Sequence, residues 1–144
     1  MFSFALKMIC KKLMLDLFYY AGMLHGGFSE SQKEMLKLYI GNHKFKDSDR
    51  ELDEVLKELS CQENYVKGWI LIEMSEFLDE YQEDDEATRI FIEKICTSVN
   101  IDIKQIESLR ILCDDIIAAE EVEDEEEAKI ATDRLNEKIF SFYE

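Results

Sequence analysis

Hydrophobic residues recur at three- and four-residue steps along most of the chain, which is the spacing of one face of an α-helix. The first such stripe, between about Phe4 and Leu24, consists of Leu6, Ile9, Leu13, Leu17, Tyr20 and Leu24. Met14 and Phe18 lie off this stripe, so we expect the second half of the helix to be buried on more than one side. Gly26-Gly27 then ends the helix, because glycine readily adopts the left-handed conformation that closes one.

Six further segments with helical periodicity follow, at about 29–41, 48–59, 63–81, 84–100, 102–117 and 125–143. Two of them begin with capping-box patterns, Ser29-x-x-Gln32 and Ser48-x-x-Glu51, in which the serine hydroxyl accepts a backbone N–H at the start of the helix. No alternating strand pattern is present. The sequence therefore predicts an all-α fold, a compact bundle of about seven helices.

The order of these helices predicts a weak internal duplication. Apolar helix, short turn, capped helix, loop and third helix follow one another between Leu13 and Leu59, and the same order recurs between Trp69 and Ile117. We expect a single domain over residues 1–144, with halves at about 4–60 and 62–120 and an edge helix at about 125–143. Gly22 and Gly68 predict close packing against another backbone, because an interior glycine costs roughly 1 kcal/mol relative to alanine.

Charge narrows the choice of partners. The 144 residues include 33 acidic and 17 basic side chains, for a net charge of −16, with no proline and five glycines. Such a surface repels nucleic-acid phosphates and anionic membranes and favours cations or basic proteins. We therefore expect a protein partner, with a basic one favoured by the charge, and no direct binding of nucleic acid, while the oligomeric state stays open.

Cysteine usage and hydropathy predict a cytoplasmic protein. Cys10, Cys61, Cys96 and Cys113 lie among apolar neighbours without a CxxC pair, so we expect four buried thiols and no disulfide framework. No apolar run reaches the ~18 residues of a membrane span, and the first segment lacks the layout of a signal peptide. We interpret that segment as a buried helix, with a peripheral membrane role for its lysine-bearing end as the alternative.

Known catalytic motifs are missing from the sequence. It contains no phosphate loop, dinucleotide fingerprint, HExxH or GxSxG elbow, and only His25 and His43 are available to activate a nucleophile. We therefore expect that the protein is not an enzyme. His25 follows the first helix, a position that the helix dipole favours for histidine, and Trp69, Phe77 and Tyr81 are predicted core residues.

Two acidic clusters are the candidate sites. Carboxylate oxygens suit hard divalent cations, and the candidate cation ligands are Glu83, Asp84, Asp85 and Glu86. The alternative is a solvated helix start. Nine carboxylates and no basic residue lie between Asp114 and Glu127, and the candidate partner-binding residues there are Glu120, Glu121, Glu123, Asp124, Glu125, Glu126 and Glu127. The alternative for this run is a solvated face or a flexible connection.

The sequence around the first turn resembles the TerB-like family, named after a bacterial tellurite-resistance protein. The resemblance rests on Ala21-Gly22-Met23-Leu24-His25-Gly26-Gly27-Phe28-Ser29-Glu30-Ser31-Gln32, and then on Phe91-Ile92, Ile95-Cys96 and Val99-Asn100-Ile101-Asp102. It implies a compact, internally duplicated helical domain that acts as an interaction module in membrane-linked stress-response or phage-defence systems, with divalent-cation binding. Where the family tends to place acids, this chain has His25 and Gln32, which puts that version of a cation site in doubt.

These observations predict a non-enzymatic TerB-like interaction module of a bacterial stress-response or defence system, with cation sensing as an added expectation. The alternative is an acidic, nucleic-acid-mimicking decoy or inhibitor that binds a basic partner. A third reading is a helical scaffold subunit, for which the chain end at Ile139–Tyr143 is the first place to look for exposed apolar surface.

Overall fold

The computed structural model describes residues 2–81 and 85–144, and this part of the chain forms seven α-helices and no strand. The helices are α1 Ser3–Met23, α2 Glu30–Ile40, α3 Leu52–Ser60, α4 Asn64–Phe77, α5 Glu86–Val99, α6 Ile106–Glu121 and α7 Glu125–Ser141. Short 3-10 turns lie at Asp79–Tyr81 and Ile103–Gln105. The predicted all-α class and the number of helices are confirmed.

Local hydrogen bonds explain where two of the helices begin. Ser29 and Gln32 form the predicted capping box: the Ser29 hydroxyl accepts the Gln32 backbone N–H at 3.3 Å, and the Gln32 side chain accepts the Ser29 N–H at 3.0 Å. The second predicted capping box, at Ser48 and Glu51, is wrong. The Ser48 hydroxyl instead accepts the backbone N–H of Arg50 at 3.2 Å, so the chain turns before α3 begins.

Helices α1 and α4 form the centre of the bundle. α1 packs against α2, α3 and α4, whereas α4 packs against α5, α6 and α7 as well as α1. Six consecutive residues of α4, Ile70 to Ser75, are buried, and so are Met14 and Phe18 on the second half of α1. The expectation that this half of α1 is buried on several sides is confirmed.

The start of α1 differs from the prediction. Phe4, Met8 and Ile9 are 76%, 70% and 51% exposed, so placing Ile9 in a buried stripe was wrong. The reason is that the first turns meet α4 on one side only, where the Phe2 ring stacks on Trp69 with centroids 5.1 Å apart. The backbone then departs from helical geometry at Cys10, with φ −148° and ψ 46°.

Both interior glycines lie against side chains, not against a backbone as predicted. A Cβ on Gly68 would lie 2.6 Å from Cγ1 of Ile139, which brings α4 and α7 together. A Cβ on Gly22 would lie 2.8 Å from Cδ1 of Phe28, whose ring folds back over the end of α1. At each position the absent side chain makes room for a bulky apolar neighbour.

The cysteines do not share one environment. Cys96 and Cys113 are buried, Cys10 is half-buried and Cys61 is exposed, so the prediction of four buried thiols is wrong at Cys61. Cys61 directly follows the last turn of α3, where the chain leaves the core. Burial raises the pKa of Cys10 to about 11, and it raises the pKa values of Cys96 and Cys113 to about 12.

None of the helices within residues 2–81 and 85–144 combines the length and the apolar character needed to cross a membrane.

We expect Gly68→Ala to lower the free energy of unfolding, because the new methyl group collides with Ile139. Overpacking costs about 1–3 kcal/mol, which exceeds the roughly 1 kcal/mol that alanine contributes through helix propensity. Urea denaturation of Gly68→Ala, Ile139→Ala and the double variant measures the coupling. The double variant should lose less unfolding free energy than the sum of the losses in the two single variants. A Gly68→Ala protein that is more stable than its parent would contradict the close contact between Gly68 and Ile139.

A thiol-specific reagent at about pH 8 should modify Cys61 quickly in the folded protein, because thiolates react and exposure gives access. Cys96 and Cys113 should react only after unfolding, since burial protects them and raises their pKa values. Peptide mass analysis at increasing times identifies the modified residues, and Cys61→Ser is the control. Fast modification of Cys96 in the native protein would show that the α5 packing is incorrect.

Candidate functional site

His25 is fixed between the two predicted halves of the chain. Its ring stacks on Tyr81 with centroids 3.7 Å apart and an interplanar angle of 12°, and its Nε2 atom pairs with Oδ2 of Asp85. Nε2 also lies 3.1 Å from the hydroxyl of Thr88. The left-handed Gly26 (φ 75°) turns the chain directly after His25, so the ring stays beside these partners.

Asp85 uses both of its carboxylate oxygens in this arrangement. Oδ1 accepts the backbone N–H of Ala87 at 3.1 Å, which caps α5, and Oδ2 accepts the Thr88 hydroxyl at 2.8 Å as well as pairing with His25. The hydrogen bonds from His25 and Thr88 hold the pKa of Asp85 below its ordinary value. Thr88 is fully buried, so the cluster presents no free hydroxyl to a substrate.

Helix α2 makes a second set of polar contacts with the same region. The Ser29 hydroxyl donates to Oε1 of Glu80, and the Ser31 hydroxyl donates to the same oxygen at 3.0 Å. The fully buried Gln32 donates its amide to the backbone carbonyl of Phe77 at 3.1 Å. We call these contacts, between residues 25–32 and residues 77–81 and 85–88, the junction.

The junction contains the two residues that the sequence analysis set apart as departures from the TerB-like resemblance. His25 and Gln32 each bond to a group 45 to 60 residues away in sequence, on Asp85 or Phe77. Both therefore act as links within the fold. The Gln32 side-chain oxygen accepts the Ser29 N–H, whereas Nδ1 of His25 is buried without a hydrogen-bond partner among the described residues.

The four candidate cation ligands do not form a site within the described residues. Glu83 and Asp84 lie outside the described residues, Asp85 is engaged with His25, and Glu86 is exposed 3.6 Å from Arg89. Over residues 2–81 and 85–144, no group of three or more His, Cys, Asp or Glu side chains is placed to hold a metal ion. Cation binding at residues 83–86 stays a prediction.

The second acidic cluster lies at the turn between α6 and α7. We call residues 120–127 the acidic hairpin; all are exposed, including Val122 at 73%. The Asp124 side chain caps α7 by accepting the backbone N–H of Glu127 at 3.0 Å. Among the described residues, no basic side chain forms an ion pair with Glu120, Glu121, Glu123, Asp124, Glu125, Glu126 or Glu127.

Helix dipoles act differently on the two sides of the acidic hairpin. Glu125, Glu126 and Glu127 occupy the first turn of α7, where the positive end of the helix stabilises them. Glu120 and Glu121 occupy the last turn of α6, where the negative end opposes them. The end of α6 is therefore a place where a cation supplied from outside would be stabilising.

The negative charge belongs to one part of the chain. Residues 1–60 contain nine acidic and nine basic side chains, whereas residues 61–144 contain 24 acidic and eight basic ones, so the second part carries the whole net charge of −16. The two acidic clusters both belong to it. The hydrogen bonds and ion pairs of Asp85 and Glu86 are with His25 and residues 87–89, and none of them reaches the acidic hairpin.

A buried polar cluster escaped the sequence analysis. Glu73 is 2% exposed within the apolar run of α4, accepts the Ser3 hydroxyl at 3.0 Å, and has its pKa raised by burial. Tyr39 is fully buried, and its hydroxyl has no hydrogen-bond partner among the described residues. The only signal in the sequence was the presence of two acids, Glu73 and Glu76, within the apolar segment from Trp69 to Phe77.

We expect Asp85→Asn to lower the melting temperature at neutral pH, because the amide keeps the helix cap but loses the charge that pairs with His25. The folded-state pKa of Asp85 lies below its ordinary value of 3.8, so its contribution is complete above that value and is lost as the pH falls through the folded-state pKa. The difference from the parent should therefore shrink at acidic pH. Glu86→Gln, the exposed neighbour, is the control; equal effects of both variants at neutral pH would contradict the proposed pairing.

The chain matches no protein-family model, no curated protein and no solved structure. The TerB-like resemblance therefore stays a prediction that rests on the sequence around the first turn and on the order of the helices.

Proposed function

We propose that the protein is a non-enzymatic, TerB-like interaction module of a bacterial stress-response or defence system, located in the cytoplasm, and that it binds a basic protein through the acidic hairpin. One observation carries the proposal. The acidic hairpin exposes seven carboxylates, all of its residues except Val122, and none of them forms an ion pair with a described residue. Cations from a partner would relieve the repulsion among them.

The packing of the central helices supports the part of the proposal that concerns the resemblance to the TerB-like family. α1 is surrounded by α2 and α3, and α4 is surrounded by α5 and α6, so each central helix contacts the two helices that follow it in the chain. This is the arrangement that a duplicated three-helix unit would produce. α7 packs along α6 and against α4, as an added edge helix would.

The state of the polar groups supports binding over catalysis. At the junction, His25, Asp85 and Thr88 are bonded to one another, and Gln32 is bonded to the backbone of Phe77. Hydrogen bonds of this kind stabilise a fold, and the remaining ring nitrogen of His25, Nδ1, is buried without a hydrogen-bond partner among the described residues, so it is not presented to a bound molecule. The seven exposed carboxylates of the acidic hairpin, in contrast, have no ion-pair partner among the described residues.

A second candidate function follows from the division of charge. Since residues 61–144 carry the whole net charge of −16, this part of the surface offers a dense array of carboxylates, as a nucleic-acid mimic would. In that case the partner is a nucleic-acid-binding protein, and the carboxylates occupy the surface that normally contacts phosphates.

The test replaces Glu120, Glu121, Glu123 and Glu125 by glutamine and measures affinity capture from the native host, with quantitative mass spectrometry at increasing salt. Basic proteins captured by the parent should be lost with this variant, and their capture should weaken as salt screens the ion pairs. The control removes the same charge from exposed carboxylates of the neutral part, at Asp47, Glu51, Asp53 and Glu54. It should capture the same proteins as the parent, and equal capture by both variants would refute the role of the acidic hairpin.

Competition with duplex DNA separates the two candidates. A partner of a nucleic-acid mimic should be released from the immobilised protein by DNA, because both ligands need the same basic surface. A partner of an ordinary interaction module should stay bound when DNA that it does not recognise is added at the same salt concentration.

A further inference from the structure

We propose that the exposed start of α1 docks onto the acidic hairpin of a second copy of the chain. We call Phe4, Lys7, Met8 and Lys11 the amino-terminal face. Phe4, Lys7 and Met8 are neighbours on one side of the first helical turns, at steps of three and four residues. Lys7 is half-buried, and Lys11, which follows the non-helical backbone at Cys10, is exposed.

The amino-terminal face has two features that a folded monomer leaves unused. Phe4 and Met8 are 76% and 70% exposed, whereas Phe2 and Leu6 on the opposite side are buried against the core. Lys7 and Lys11 form no ion pair with any described residue, unlike Lys12, which pairs with Asp49 at 2.9 Å. The result is an apolar centre accompanied by free positive charge.

The acidic hairpin has the complementary composition. Its one apolar side chain, Val122, is 73% exposed and is flanked in sequence by Glu120, Glu121 and Glu123, none of which has an ion-pair partner among the described residues. A lysine brought to this place would meet both the carboxylates and the negative end of α6. The amino-terminal face and the acidic hairpin therefore each have exposed apolar side chains among charged ones, and their charges are opposite in sign.

A second copy of the chain is favoured over a lipid surface as the occupant. The net charge of −16 opposes contact with an anionic membrane and with a second copy alike, and salt screens this repulsion beyond about 8 Å, so the local match between the two surfaces decides. The acidic hairpin supplies carboxylates around an apolar side chain on every copy, at the concentration of the protein itself. The contact joins two different surfaces. If each copy docks on the other at the same time, the assembly is a two-fold dimer; if each copy docks on the next one, the assembly is a closed ring or an open chain.

This inference does not depend on the proposed function. A basic partner and a second copy would compete for the same carboxylates, so partner binding would release the copies from each other. Loss of self-association would leave the proposed partner binding intact, since Lys7 and Lys11 are not part of the acidic hairpin.

Sedimentation velocity of the purified full chain, from about 10 µM to about 1 mM at about 150 mM salt, measures self-association directly. The parent should associate as its concentration rises. Lys7→Glu/Lys11→Glu should shift the association midpoint at least tenfold higher, and so should Glu120→Lys/Glu121→Lys. The decisive measurement mixes the two charge-reversed variants: because their surfaces are again opposite in charge, the mixture should associate although each variant alone does not.

The control, Lys44→Glu/Lys46→Glu, makes the same change in net charge on exposed lysines elsewhere and should associate like the parent. Circular dichroism and melting curves establish that each variant is folded. A parent that stays monomeric over the whole range would overturn the inference, and so would failure of the mixture to associate. Binding of the parent to vesicles of about 30% phosphatidylserine, lost in Lys7→Glu/Lys11→Glu, would overturn it in favour of a membrane surface.

Discussion

The burial of α1 and α4 at the centre of the bundle is the constraint on which the rest of the structure depends. A helix with six consecutive buried residues, Ile70 to Ser75, cannot lie at a surface, so other helices must cover it on every side. Polar groups carried into the centre tend to find partners there, and the Tyr39 hydroxyl is an exception among the described residues. Asp16 on α1 is 2% exposed and accepts the guanidinium of Arg50 at 2.8 Å, which ties the loop before α3 to the central helix.

The hydrogen bonds of the junction fix the relative orientation of helices that the apolar core holds together. Hydrophobic contacts do not by themselves fix the orientation of one helical group on another, whereas hydrogen bonds with defined geometry do. His25, Ser29 and Gln32, from a single turn of the chain, bond to Asp85, Glu80 and the Phe77 carbonyl. These polar side chains therefore link two segments of the chain that lie 45 to 60 positions apart in sequence.

The helices could be predicted because their signals are local. The apolar period of the second half of α1 and the capping box at Ser29 depend on residues within one or two turns. The pairing of His25 with Asp85 joins residues 60 positions apart, and nothing in either neighbourhood indicates it. Ile9 and Cys61 were misplaced for the same reason: their apolar neighbours suggested burial, but burial depends on whether another element covers that side, and none does.

The acidic hairpin differs from the remaining surface in that its local forces conflict. In α5, Arg89 lies between Glu86 and Glu93 and pairs with both, so the exposed charges there balance one another. At the end of α6, by contrast, Glu120 and Glu121 lie beside the negative helix terminus and further acids, and they form no ion pair with a basic side chain of the described residues. Conflicts of this kind lower stability, and proteins tend to keep them where function needs them. A positive group on another molecule would relieve this conflict, and this physical reason is why the proposed binding surface is placed at this turn.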